Sequence, residues 1–280
     1  MSTKQNIVVI GDVHHHIAQA AEALTRLEQD IRIDQVFSVG DLGLFLTEPD
    51  WAYLTGPSKY RKPEESHKIR KAWEKWKWPV SIIAGNHEPF NRLRNFDPGY
   101  FSFKLSYANA GILEHNVPDL LATGISGIYK PTELDFMSDL EARQLKIQKP
   151  ATWEEMVLLV EQHKISRSRL TYYKESDIEH VKSIKSPNLM LLHDWPIKPR
   201  HTNFEYDRRP EKEIVEKATP QILCCGHHHT AARFTVGTTE VFALNIIGEA
   251  GKPHMLNKGW AMVAEWNGAQ LNNARHWPEI

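Results

Sequence analysis

The sequence predicts an α/β fold that opens in βαβ units and finishes in β meanders. Three observations predict it. Short, wholly apolar runs recur along the chain, the first is followed by a segment of helical spacing, and each run ends in a polar residue able to bind a metal. Ile7-Val8-Val9-Ile10 is apolar at every position, as a strand buried on both faces requires, and it delivers Gly11-Asp12 into a loop. Residues 17–30 follow, with Ile17, Ala20, Ala21, Leu24 and Leu27 at helical intervals. Val36-Phe37-Ser38-Val39 ends in Gly40-Asp41, and Ser81-Ile82-Ile83-Ala84 ends in Gly85-Asn86-His87-Glu88. Leu189-Met190-Leu191-Leu192 leads to His193, and Ile222-Leu223-Cys224-Cys225 leads to Gly226-His227. Segments 232–236, 240–244 and 260–266 then read as strands.

Two stretches interrupt this rhythm. Residues 47–78 are rich in Pro, Trp and Lys, with a helix expected over 64–77. Residues 130–187 are polar and mostly helical in pattern. Neither is Gly/Ser-rich or of low complexity, so both read as insertions walling a site and not as linkers. The 280 residues are expected to form a single domain, since 41% hydrophobic content can fill a sizeable core. A net charge of −1 removes the simplest argument for nucleic-acid binding, so any polyanion site must be a local patch. Two adjacent cysteines, Cys224 and Cys225, are poorly placed to bridge. Their scarcity, a polar start without a signal-peptide pattern and the lack of a long apolar run lead us to expect a cytoplasmic protein with no membrane contact and no obligate protein partner.

Histidine is abundant, at 15 residues, and its placement matters more than its number. Taken singly, a Gly-Asp after a strand is ordinarily a turn, and a lone His is ordinarily a hydrogen-bonded structural residue. Five such signals in order, each at a strand end, argue for one composite site, because α/β sheets gather ligand sites at the carboxyl ends of their strands. Asp12 and His14 are spaced to approach one ion. Asp41 has two oxygens and can bridge two. Asn86 offers a neutral oxygen, and His193, His227 and His229 offer imidazole nitrogens suited to Mn, Fe or Zn. Two divalent ions outweigh two aspartates and a hydroxide by one positive charge, which attracts an anionic phosphate. His87, beside Asn86, is the candidate acid for the leaving oxygen, its alternative being a supporting hydrogen bond. His15, His16 and His228 are expected to lie behind the ligands or in solvent. His67, His115, His163, His201, His254 and His276 carry no motif, and Cys224 and Cys225 read as buried strand residues.

The ordered set Gly11-Asp12-Val13-His14, Gly40-Asp41, Gly85-Asn86-His87-Glu88, His193 and Gly226-His227-His228-His229 resembles the calcineurin-like metallophosphoesterase superfamily. The resemblance implies a four-layer αββα sandwich. It implies that Asp12, His14, Asp41 and His229 hold one ion, that Asp41, Asn86, His193 and His227 hold the other, and that His87 is catalytic. A narrower set is similar to RNA lariat debranching enzymes: Pro57-Ser58-Lys59-Tyr60-Arg61, Asn91, Gly124-Ile125-Ser126-Gly127-Ile128-Tyr129-Lys130, His193-Asp194-Trp195-Pro196 and, more loosely, Arg167 to Tyr173. Those are phosphodiesterases that cut 2′–5′ bonds at RNA branch points, and the insertion equivalent to 47–78 helps them recognise the branch. This implies substrate contacts at Lys59, Tyr60, Arg61, Asn91, Tyr129 and Arg167. Many eukaryotic members carry Cys where Asp12 stands. Asp12 restores a hard oxygen ligand, so occupancy by two metals, with manganese the expected ion in vitro, should be more robust here. No counterpart of the eukaryotic C-terminal extension is expected.

Local charge gives the RNA reading a physical footing. Lys59, Arg61, Lys62, Lys68, Arg70, Lys71, Lys75 and Lys77 crowd one insertion, and Lys164, Arg167, Arg169 and Lys174 the other. Tyr60, Trp73, Trp76, Trp78, Tyr129, Tyr172 and Tyr173 are interleaved with them, a combination suited to phosphate contact and base stacking. The bland alternative is a solvated helix face with tryptophans turned inward. At their spacing Trp73, Trp76 and Trp78 cannot share one side of a helix, so at least one is expected in the core. The expected function is therefore a two-metal phosphodiesterase acting on RNA. Its rivals are a phosphatase or small-nucleotide phosphodiesterase with the same metals, and a non-catalytic scaffold, which should have lost ligands or His87.

Overall fold

The computed structural model describes residues 4–56, 58–101, 104–130, 135–197, 210–248 and 255–279. Pro57, His201 and His254 lie outside them. Twelve described strands form two six-stranded sheets. The first joins β1 (Gln5–Ile10), β2 (Gln35–Ser38), β3 (Val80–Ile82), β4 (Leu105–Tyr107), β11 (Ala261–Trp266) and β12 (Leu271–Trp277), in the order β12-β11-β1-β2-β3-β4. The second joins β5 (Ala110–Ile112), β6 (Ala122–Ile125), β7 (Leu189–Leu192), β8 (Ile222–Cys225), β9 (Ala232–Val236) and β10 (Thr239–Ala243), in the order β5-β6-β7-β8-β10-β9.

The apolar runs explain the layering. Successive side chains of a strand point to opposite faces. In β1, Ile7 and Val9 join Phe37, Leu189, Leu191, Cys224 and Phe242 in a core between the sheets. Val8 and Ile10 face away from it, into a second core with Ile17, Ala20 and Leu24 of the helix Ile17–Leu27 and with Ile69 and Trp73 of the helix Ser66–Glu74. On the far side of the second sheet, Met190, Leu192, Leu223 and Cys225 pack on Ile178 and Val181 of the helix Glu175–Ser183 and on Ile214 and Val215 of the helix Pro210–Ala218. The order is helix, sheet, sheet, helix, the four-layer αββα sandwich. Each fully buried aliphatic side chain contributes roughly 1.5–3 kcal/mol, so three cores account for continuous apolar strands with no polar face.

Within each sheet the central strands run parallel. β1 pairs parallel with β2 and β2 with β3, while β6, β7 and β8 run parallel in the other sheet. Their carboxyl ends therefore open at one edge of each sheet. The final segments are not one meander. β9 and β10 extend the second sheet, whereas β11 returns to pair antiparallel with β1. Trp73, Trp76 and Trp78 are all buried in the core behind the first sheet. This corrects the expectation that some of them present faces to a substrate: the insertion supplies core as well as wall. Among the described residues, no helix is long and apolar enough to cross a membrane.

Candidate metal centre

The loop after β1 and the loop after β2 lie side by side because their strands are neighbours. Val13 N and His14 N both donate to Asp41 O, at 3.0 and 2.8 Å. Gly226 N donates to His193 O at 3.0 Å and joins the loops after β7 and β8 in the same way. His14, Asp41, His227 and His229 have φ of 45°, 50°, 68° and 50°. A non-glycine residue in this left-handed region costs about 1–3 kcal/mol and persists only where its surroundings enforce it. Two glycines show how tightly the strand ends are drawn together. A Cβ on Gly85 would lie 2.1 Å from Asp41 Oδ1 and 2.6 Å from His193 Cε1. One on Gly226 would lie 2.4 Å from Asp12 Oδ1.

The structure brings the predicted ligands from both sheets to one place. Asp12, His14 and His229 offer ligand atoms within 4.8 Å of one another, and so do Asp12, Asp41 and His193. Asp41 Oδ2 lies 3.7 Å from His14 Nε2 and 3.4 Å from His193 Nε2, between the two groups. Asp12 Oδ2 lies 3.1 Å from His229 Nε2 and accepts from His227 N at 3.1 Å. Asn86 Oδ1 is 3.1 Å from His193 Nε2, and the His227 ring lies 5.0 Å from that of His193. Asp12 thus stands near both groups, where the resemblance implied contact with one ion only, because β1 and β2 are adjacent and project both carboxylates into the same gap. His87 N donates to Asp41 Oδ1 at 2.7 Å, and its ring lies 5.3 Å from that of His14.

A family model for calcineurin-like phosphoesterases matches residues 5–231, which span every one of these residues. The chain belongs to this family. No curated protein sequence matches it. Solved structures do, at low identity. One aligns at TM-score 0.50 and 13% identity, over 98% of this chain and 100% of the other. TT1561 of Thermus thermophilus aligns at 0.47 and 12%, over 98% and 99%. A novel phosphatase from Mycoplasma pneumoniae aligns at 0.48 and 9%, over 98% and 93%. At 13% identity, the first of these speaks for the fold alone.

The donor set of this phosphoesterase fits cations. His193 Nδ1 faces the Val39 carbonyl at 2.9 Å and must donate to it. In a neutral ring, Nε2 then presents a lone pair toward Asn86 Oδ1 and Asp41 Oδ2, and only a positive charge reconciles the three. Without metal that charge is a proton. Burial is the largest single influence and works against it, but the Asp41 charge and contact, the Asp12 charge and the Val39 carbonyl together raise His193 to about 10. Burial would likewise raise the Asp41 carboxyl, yet the charges of His193 and His87 hold it well below the usual range. Burial pushes His227 down to about 4, which keeps its imidazole neutral and able to ligate.

Other histidines of the phosphoesterase keep out of the cluster, as expected. His15 packs 5.4 Å from the Trp51 ring, and burial lowers it to about 3. His228 Nε2 pairs with Asp194 Oδ1 at 2.9 Å. Two supporting residues were missed in the sequence. Glu88 is fully buried and accepts from Leu42 N at 2.7 Å and Gly43 N at 3.0 Å, which fixes the loop carrying Asp41. Burial, and then the Asp41 charge, raise its carboxyl to about 8. Asp194 anchors His228 beside His227. Each directly follows a recognised site residue, and that adjacency was the available signal.

The predicted substrate contacts separate into two sets. Tyr60 is 53% exposed, with Lys59 Nζ 5.0 Å from its ring centre. A Cβ on Gly56 would lie 3.3 Å from His87 Cε1 and 3.7 Å from Tyr60 Cδ2, so this part of the insertion stands against the catalytic candidate. Thr55 Oγ1 donates to Asn86 O at 2.6 Å and secures it there. Arg61 Nε and Asn91 Oδ1 are buried without a hydrogen-bond partner among the described residues. By contrast, Arg167 Nη1 donates to Ala52 O at 2.8 Å and ties one insertion to the other. Tyr129 stacks on the buried Tyr173, with ring centres 6.1 Å apart.

Proposed function

We propose that this phosphoesterase is a two-metal phosphodiesterase acting on RNA, with the 2′–5′ bond of a branch point as the substrate to test first. Asp12, His14, Asp41 and His229 would hold one divalent ion, and Asp41, Asn86, His193 and His227 the other. Bound divalent ions supply Lewis acidity toward phosphoryl oxygens and lower the pKa of water. The protein's own part is to fix those ions through rigid strand ends and to manage the leaving group. The Asp41 Oδ1 bond to His87 N holds His87 at the edge of the cluster, where its ring protonates the departing oxygen. The two buried, unbridged cysteines suit a reducing, cytoplasmic setting.

The observation that carries the RNA reading is the exposed Tyr60, flanked by Lys59 and set against the wall beside His87. An aromatic face next to a cation suits a base and its phosphate, and stacking of this kind contributes about 1–3 kcal/mol per base. The test incubates metal-loaded protein with a short RNA carrying one 2′–5′ branch, beside linear RNA and a small aryl phosphodiester, with His87→Ala as control. Selective release of the branch supports the reading. Cleavage of the aryl diester alone keeps the two-metal chemistry but refutes RNA as substrate in favour of a small-nucleotide diesterase or phosphatase.

A further inference from the structure

Three of the four cations singled out in the second insertion are engaged within the protein. Arg167 binds the Ala52 carbonyl, Arg169 pairs with Glu141, and Lys174 is buried, donating to Asp135 O and lying 5.3 Å from the Trp153 ring centre. Three lysines of the same insertion behave differently. Lys146, Lys149 and Lys164 are exposed and line one cleft of about 360 Å³, with Ile147, Pro150, Leu158 and Leu159 as its apolar surface. That volume lies within the range of small-molecule sites. The turns that present the lysines are built. Lys146 caps the helix Asp139–Leu145 in a left-handed conformation, φ 53°. Lys164 N returns to Leu159 O at 2.9 Å after the helix Trp153–Glu161.

Charge and chemistry select the occupant. Among the described residues, the one acid lining the cleft, Glu155, is engaged through Oε2 with Ala151 N at 2.6 Å. Lys149 meets Asp139 at 3.1 Å, but both are exposed, and such a pair contributes little. Leu158, 52% exposed, is a large apolar side chain left at the rim. Three cations around an apolar surface suit an anion that carries flat, weakly polar groups. The helix Trp153–Glu161, which lines the cleft, is also tied to the first insertion. Tyr53 of the first insertion donates to Glu161 at 3.3 Å, three residues before Lys164, and the same insertion carries Gly56 and Tyr60 against His87.

We propose that this cleft is a remote phosphate-binding subsite, in which Lys146, Lys149 and Lys164 hold the backbone of a single-stranded nucleic acid whose scissile bond lies at the metal centre. The proposal rests on the RNA reading of the active site and adds a length requirement to it. Substrates long enough to reach from His87 past Tyr53 gain affinity, and mononucleotides do not.

The test uses the full, metal-loaded chain and the triple variant Lys146→Glu, Lys149→Glu, Lys164→Glu, all at exposed positions and none of them a metal ligand. Binding of a fluorescent oligouridylate is followed against salt, beside uridine monophosphate, polyglutamate and turnover of the aryl phosphodiester. The variant should bind the oligonucleotide on the order of tenfold or more weakly, with a salt slope reduced by up to about 2, given a slope of about 0.7 per contact on single strands. Its aryl diester turnover and melting temperature should match the wild type. Unchanged oligonucleotide affinity in the variant, with a wild type that cleaves RNA, overturns the subsite and leaves the active-site reading intact. A wild type that cleaves no RNA overturns that reading and, with it, the subsite as a grip on substrate. Loss of polyglutamate binding with RNA binding unchanged assigns the cleft to an acidic protein and overturns the proposal.

Discussion

Asp41→Asn is the sharpest perturbation of the proposed centre, because it changes charge while nearly preserving shape. The amide can still accept the His87 N bond at Oδ1, now 2.7 Å. It no longer balances His193, whose Nε2 lies 3.4 Å from Oδ2 with both side chains buried. Burial opposes the imidazolium, yet Asp41, with smaller help from Asp12 and the Val39 carbonyl, carries it from 6.5 to about 10, a net differential on the order of 5 kcal/mol. Removing one member of a buried pair costs about 3–5 kcal/mol, in the same range. In metal-free wild type this raised pKa contributes stability that is complete below pH 6.5 and is lost as pH climbs through about 10. In the variant, the Asp12 charge and the Val39 carbonyl still favour the imidazolium, but burial is opposed by less, so the His193 pKa falls and the alkaline loss moves to lower pH. Both ions should be weakened together, since Asp41 lies between the two ligand groups. The assay is metal content after dialysis, with melting temperatures of the metal-free proteins below pH 6.5 and near pH 10. Retention of both ions at full stoichiometry, or an alkaline loss of stability like that of the wild type, would refute the reasoning.

Three further outcomes are expected. His87→Ala should lower kcat by roughly 10²–10⁴-fold while metal content stays near normal, and unchanged turnover of the natural substrate would remove the acid assignment. Gly85→Ala should disrupt metal loading as well as stability, because its Cβ would meet Asp41 Oδ1 at 2.1 Å; overpacking of this kind costs about 1–3 kcal/mol, and normal metal content with normal melting would contradict it. Trp76→Ala should destabilise the fold by about 3–5 kcal/mol in denaturant titrations, since the indole is fully buried. A loss of RNA affinity without a loss of stability would instead make it a substrate platform.

The strands carrying the site were legible because each is buried on both faces. Ile7 to Ile10, Leu189 to Leu192 and Ile222 to Cys225 are runs without alternation, and the structure places strands over all three. β4, β5, β6 and β12 were not legible. Leu105-Ser106-Tyr107, Ala110-Gly111-Ile112 and Ala122-Thr123-Gly124-Ile125 are short or glycine-broken, and β12 is largely polar. Their pairing comes from neighbouring strands and not from their own pattern. The helix expected over 64–77 is regular only over Ser66–Glu74, because a turn brings Trp76 and Trp78 inward to join Trp73.

Residue order alone reveals the candidate ligands: which residues stand at strand ends, that they are carboxylates, an amide and imidazoles, and that they occur in an order that resembles one superfamily. Spacing along a chain carries that information because a strand delivers its last residue to a fixed edge. The packing of the layers, which no local pattern encodes, puts β1, β2 and β3 in one sheet and β7 and β8 in the other, with the ends of both meeting at Asp41. It alone decided which charges face solvent, burying Lys174 and leaving Lys146, Lys149 and Lys164 around a cleft. A lysine's identity fixes its charge, but whether that charge is matched inside the protein depends on partners distant in sequence, and these are set by how the layers pack.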